Sequence, residues 1–232
     1  MTEAEWLACN HPAPMLKFLG RTVSQRKLRL FAVACCRRVL HCFGQERSRE
    51  AIDVAERFAD DRATPVELRA AALAAAEATF ELANPQDSRW PADPNPDLPA
   101  QLLCEAAEMT CWPTIGGAGV WGAEGGHSAW EAVALGMEAA GRGGEWENQS
   151  ALLRDLFVNP FHPASIDPAW QTSAVVSLAR TMYEEREFAP MPVLADALEE
   201  AGCDDVGILA HCRSHATHVR GCWVVDGVLG KG

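Results

Sequence analysis

The sequence predicts an all-α protein, a bundle or array of about 8–11 helices, on three observations. N-caps, capping boxes and stop glycines recur along the chain, apolar residues return at helical spacing, and almost nothing alternates with period two. The exception is Cys222 to Val225, which is β-branched and allows a short strand as an alternative to helix.

Thr2 and Glu5 form a capping box leading into Trp6-Leu7, and Pro12 and Pro14 open an apolar segment from Met15 to Leu19. Ser24 begins the clearest helix, expected to run to about Phe43 and stop at Gly44. A second helix is expected from about Glu46 to Asp60. Thr64-Pro65-Val66-Glu67 combines an N-cap, a proline at the first helical position and a capping-box Glu, and starts an alanine-rich helix to Ala83. Between Asn84 and Pro99, five prolines and three aspartates break the pattern, making this the natural loop or linker. The expected organisation is therefore an N-terminal helical subdomain over 1–83, a Pro-rich segment over 84–99 and a C-terminal helical subdomain over 100–232, or one continuous domain.

Further helices are expected from Leu98 to about Cys111 and from His127 to Ala140. The stretch Gly116 to Gly126 lies between them, with six glycines in eleven residues. Residues 148–157 read as helix, and Asp167-Pro168 as the start of another to about Tyr183. Pro192 to Ala201, closed by Gly202, is one more, and two shorter helices fit 205–213 and 218–229.

At 232 residues, 48% hydrophobic and 22% charged, the chain can bury a substantial core. No apolar run approaches the ~20 residues that span a bilayer, and the run Leu28 to Cys36 carries Arg29 and ends in Arg37-Arg38, which suits no signal peptide. A cytoplasmic protein with no membrane partner is expected, its nine cysteines reduced and many of them buried. The net charge of −12 opposes generic binding to nucleic acid. The charge is uneven, however, with nine Lys/Arg against four Asp/Glu in the first 50 residues.

That local excess concentrates on one helix. On a wheel of ~100° per residue, Leu28, Phe31, Ala32, Cys35, Val39, Cys42 and Phe43 share one arc, with Arg26, Lys27, Arg29, Arg37 and Arg38 opposite. These five basic residues are the candidate partner-binding surface. The alternative is a solvated face whose arginines pair with acidic helices elsewhere in the chain. On the same wheel His41 lies about 120° from Cys35, so Cys35, His41 and Cys42 cannot share one ion.

The densest set of potential metal ligands is in the tail: Cys203, His211, Cys212, His215, His218 and Cys222. Thiolate and imidazole together suit a borderline-soft ion, zinc first. His211, His215, His218 and Cys222 are spaced by four, three and four, one stripe if the helix is continuous. Ser214, Thr217 and Gly221 argue for a turn instead, which would let Cys203, Cys212, His218 and Cys222 converge. Otherwise Cys203 and Cys212 are core and His215 and His218 sit on a polar turn. The Gly-rich stretch Thr114 to Gly126 has no Lys or Arg nearby and lacks a phosphate-loop ending, so nucleotide binding is not expected. Trp112, Trp121, Trp130 and Trp146 bracket it and read as anchors on a core. With no Gly-x-Ser-x-Gly, His-Glu-x-x-His or Cys-x-x-Cys motif, no catalytic set is assembled.

Three stretches, Thr2 to Cys9, Arg26 to Arg38 and Leu153 to Leu229, resemble a planctomycete-expanded family of uncharacterised proteins. Within the last, Leu194-Ala195-Asp196-Ala197-Leu198-Glu199-Glu200-Ala201-Gly202 is also similar to the repeat-companion domain found beside repeat proteins in such bacteria. The resemblance implies an accessory or interaction role. The functional expectation is a non-enzymatic helical domain that binds another protein. The alternatives are a zinc protein built on the tail cluster, structural or catalytic, and a nucleic-acid binder using the basic helix.

Overall fold

The computed structural model describes residues 1–20, 23–83, 98–111, 129–139 and 141–231. Among them it is all helical, with twelve α-helices and no strand. The helices are α1 (Glu3–Ala8), α2 (Pro12–Leu19), α3 (Gln25–Arg38), α4 (Glu46–Ala59), α5 (Pro65–Ala83), α6 (Leu98–Thr110), α7 (Ala129–Ala139), α8 (Glu145–Leu156), α9 (Ser173–Glu185), α10 (Met191–Glu200), α11 (Val206–Cys212) and α12 (Trp223–Leu229). No described helix is long and apolar enough to cross a membrane, and all eight described cysteines are free. The Pro-rich segment up to residue 97 and the Gly-rich stretch 114–126, with Trp112 and Trp121, lie outside the described residues.

Local chemistry starts most of these helices as expected. Thr2 and Glu5 exchange both capping-box bonds (2.7 and 3.3 Å), and Thr64 and Glu67 do the same (2.7 and 3.2 Å). Ser24 accepts from the Lys27 amide at 3.2 Å, and Asp205 from that of Ile208 at 3.0 Å.

Three elements differ from the sequence expectation. α3 ends at Arg38, where Val39 leaves the helical region (φ −112°, ψ 19°) and a 3-10 turn, Leu40–Cys42, follows. The stretch after Asp167 is a 3-10 turn, Pro168–Trp170, and Thr172 then caps α9 afresh by accepting from the Val175 amide at 3.4 Å. Cys222–Val225 is not a strand: Cys222 is the N-cap of α12, and Val224, Val225 and Val228 are buried on it at helical spacing. Burying three valines against neighbouring helices outweighs their modest β preference.

The chain divides into two compact units. One comprises Asn10–Pro12 and Gly20–Gln149, the other Met1–Cys9, Ala13–Leu19 and Ser150–Gly232, so the division falls within α8. It does not fall at 84–99, because α5 and α6, which flank that segment, pack against each other inside the first unit. There α3 packs on α4, α6 and α7 together, which buries every residue from Leu28 to Cys36. Alanines at the contacts, among them Ala51, Ala55, Ala75, Ala106 and Ala132, are fully buried and let the helices approach closely.

In the second unit α9 packs on α10 and α12, and α11 on α10 and α12. Their shared core includes Val175, Met182, Tyr183, Leu194, Leu198 and Ile208. Each such side chain contributes roughly 1.5–3 kcal/mol relative to exposure. Leu152, Leu153 and Leu156 are also buried and fix the last turn of α8.

Candidate metal centre

The last turn of α8 carries Asp155, a carboxylate only 1% exposed. α11 ends at Cys212, so His211 stands at its C-terminal end, and the chain then turns through residues 213–222 before α12 begins. Two anchors hold this turn. The amide of Val219 donates to Asp155 Oδ2 at 2.9 Å. The buried Arg220 donates to the Tyr183 carbonyl at the end of α9 (2.7 and 3.0 Å) and lies over the Tyr183 ring at 4.8 Å. Gly221, at φ +96°, supplies the left-handed backbone that brings Cys222 into the N-cap position.

These elements bring four side chains together. One ligand atom each from Asp155, His211, His218 and Cys222 lies within 4.8 Å of all the others. His218 Nδ1 donates to Asp155 Oδ1 at 2.6 Å, and His211 Nε2 lies 3.3 Å from the same oxygen and 3.2 Å from Cys222 Sγ. The two imidazoles meet edge to face with centroids 4.9 Å apart. His211 Nδ1 accepts from the Trp223 indole N–H at 3.2 Å. His218 Nε2 is buried with no hydrogen-bond partner.

The electrostatics agree with the geometry. Burial alone would raise the Asp155 carboxyl, but hydrogen bonds from His211 and His218, and their charge when protonated, bring it below its ordinary value. The carboxylate is therefore ionised at neutral pH. Burial, reinforced by that carboxylate, pushes the Cys222 thiol well above the usual range. Cys222 is thus a protonated thiol with no exposed surface, unsuited to act as a free nucleophile. Such a buried Asp/His/His/Cys cluster can hold a metal ion.

Of the six tail residues singled out in the sequence, His211, His218 and Cys222 converge. Cys203 and Cys212 are core residues outside the cluster, and burial pushes the Cys212 thiol up to about 12. His215 is exposed on the turn. The continuous stripe fails because α11 ends at Cys212. The alternative set, Cys203, Cys212, His218 and Cys222, fails because the turn carries only the last two to Asp155. Sequence reasoning missed Asp155. Its signal was a lone acid set among Leu152, Leu153 and Leu156, where a polar helix face has no use for it.

The basic helix is corrected more sharply. Arg29 is 2% exposed and lies in the core of its unit, not on a surface. Arg26 pairs with Asp60 at 3.2 Å, Arg37 with Glu56 at 2.9 Å and with Asp53, and Arg38 with Glu145 at 3.1 Å. Lys27 is half-buried. The arginines thus serve α4 and α8 of the same unit. Because Glu56 and Glu145 are only 2% and 3% exposed, reversing Arg37 and Arg38 would bury like charges and disturb folding before any partner.

Beside the cluster lies a cleft of about 730 Å³, lined by Trp6, Phe157, Phe161, Val206, His211 and Trp223 among others. His211 belongs to both, and Trp223, which donates to it, lines the cleft beside it. No protein-family model, no curated protein and no solved structure matches this chain.

Proposed function

We propose that this chain is a zinc-binding helical protein in which Asp155, His211, His218 and Cys222 supply four ligands to one structural ion. The observation that carries the reading is the convergence itself. Four groups of the right donor chemistry, drawn from α8, α11, the 213–222 turn and the α12 N-cap, lie within 4.8 Å in the interior. Bonds of ~2.0–2.3 Å would place tetrahedral donors roughly 3.5 Å apart, a small adjustment from these distances. Four protein ligands complete a tetrahedron and leave no position for a reacting water, which favours a structural over a catalytic ion. A cytoplasmic setting, where thiols stay reduced, suits the cysteine ligand.

Elemental analysis of protein purified without a metal-affinity tag should find about one zinc per chain. Cys222→Ser and His218→Ala should each lower both the metal content and the melting temperature. A parent protein that carries no zinc, takes none up and melts unchanged in chelator would end this reading.

A second reading, a module that binds another protein, has its own support on α5. Val66, Leu73 and Phe80 recur every seven residues and are 78%, 59% and 67% exposed, the spacing by which one helix packs on another. This accords with the accessory role implied by the resemblance to the repeat-companion domain. It moves the interaction surface from the basic helix to the apolar stripe. A Leu73→Glu variant should melt like the parent yet lose a partner recovered with the parent; undiminished recovery would dismiss the stripe.

A further inference from the structure

We infer that Trp223 regulates how tightly the Asp155/His211/His218/Cys222 centre holds an ion, by keeping His211 in the tautomer that cannot ligate through Nε2. The inference rests on the zinc reading above and concerns the regulation of that site.

The proton on His211 can be placed from both sides of the ring. The Trp223 indole N–H is a donor only, and at 3.2 Å from His211 Nδ1 it requires a lone pair there. A neutral imidazole carries one N–H, so that proton sits on Nε2. Nε2 in turn faces two groups able to accept it, Asp155 Oδ1 at 3.3 Å and Cys222 Sγ at 3.2 Å. The two ends agree on one tautomer.

Ligation through Nε2 needs the opposite arrangement. Nε2 must offer its lone pair, and the proton must move to Nδ1, where it would point at the indole N–H. A metal-bound histidine ordinarily gives its second N–H to a carboxylate, a backbone carbonyl or a water. Here it meets a second donor. Capture of an ion by His211 is therefore coupled to breaking the Trp223–His211 hydrogen bond. The indole has somewhere to go, since Trp223 lines the cleft and is only partly buried.

The prediction concerns Trp223→Phe, which keeps an aromatic ring on α12 and removes the donor. Full-length parent and variant, both treated with chelator, would be titrated with Zn²⁺ in competition with a chromophoric chelator. The variant should bind about tenfold more tightly, the worth of roughly one hydrogen bond. Equal or weaker binding by a folded variant would overturn the inference and leave the zinc reading standing. Failure of both proteins to bind Zn²⁺ would overturn the zinc reading and this inference with it.

A second measurement needs no variant. Long-range ¹H–¹⁵N correlation of the His211 ring in chelator-treated parent should show the proton on Nε2, moving to Nδ1 when Zn²⁺ is added. A ring protonated on Nδ1 before zinc is added would overturn the inference by itself.

Discussion

Replacing Asp155 by alanine should lower the melting temperature of chelator-treated protein by about 10 °C or more and, on the zinc reading proposed above, abolish zinc retention. The carboxylate receives the Val219 amide and the His218 ring N–H directly, and it faces His211 Nε2 as well. All of this happens at a site 1% exposed. Leaving such buried donors without an acceptor costs about 1–3 kcal/mol each. Partial relaxation makes the total about 3–5 kcal/mol, a large part of the stability of a unit this size. Asp155→Asn keeps the volume and one acceptor oxygen but not the charge, and should fall between alanine and the parent. Because the folded carboxyl titrates below its ordinary value, the network contributes its stability at all pH above about 4 and loses it only as pH falls through the folded value. Thermal unfolding followed by circular dichroism in chelator measures the effect at neutral pH. An alanine variant melting within a degree or two of the parent would show that the cluster holds nothing together.

Truncating Arg29 to alanine should cost about 3–5 kcal/mol, the second large effect. Burial pulls its guanidinium down to about 10, so it remains charged at neutral pH inside the first unit. It donates to the carbonyl of Thr110, the last residue of α6, and lies over the Phe58 ring at 5.0 Å. It thus caps the negative end of α6 where water cannot. Arg29→Met separates the two parts of the effect. Methionine fills most of the space and removes the cost of burying a charge, while the Thr110 carbonyl loses this donor. A loss of about 1–2 kcal/mol is expected for it. Denaturant unfolding of both variants should rank alanine well below methionine. Matching midpoints would mean that neither the cavity nor the cap matters.

Both effects stand on residues whose roles the sequence hid, for different reasons. Arg29 sits on the polar half of a clean helical wheel, and a wheel reports angular position on one helix as though only one side could be buried. α3 is packed by α4, α6 and α7, so Arg29 became interior and Arg26, Arg37 and Arg38 became ion-pair partners. Asp155 stood out only as a lone acid among leucines, because a single carboxylate carries no spacing relation to histidines on a distant helix. α12 was open in the sequence between a short helix over 218–229 and a strand over Cys222 to Val225, because its valines favour a strand in isolation, and the core they fill makes them helical.

The amino-acid sequence alone was sufficient for the all-α class, the capping boxes at Thr2 and Thr64 and the location of the ligand-rich tail. These are decided within windows of three or four residues, where a side chain satisfies a nearby amide or an apolar residue recurs one turn later. The membership of the candidate metal centre was decided only by tertiary structure. Which of the tail residues meet, and that Asp155 joins them, depends on where α11 stops, how Arg220 and Val219 fasten the turn and where Leu152, Leu153 and Leu156 seat α8. Those are long-range packing outcomes, in which atoms distant along the chain become neighbours because burying apolar surface outweighs local preference.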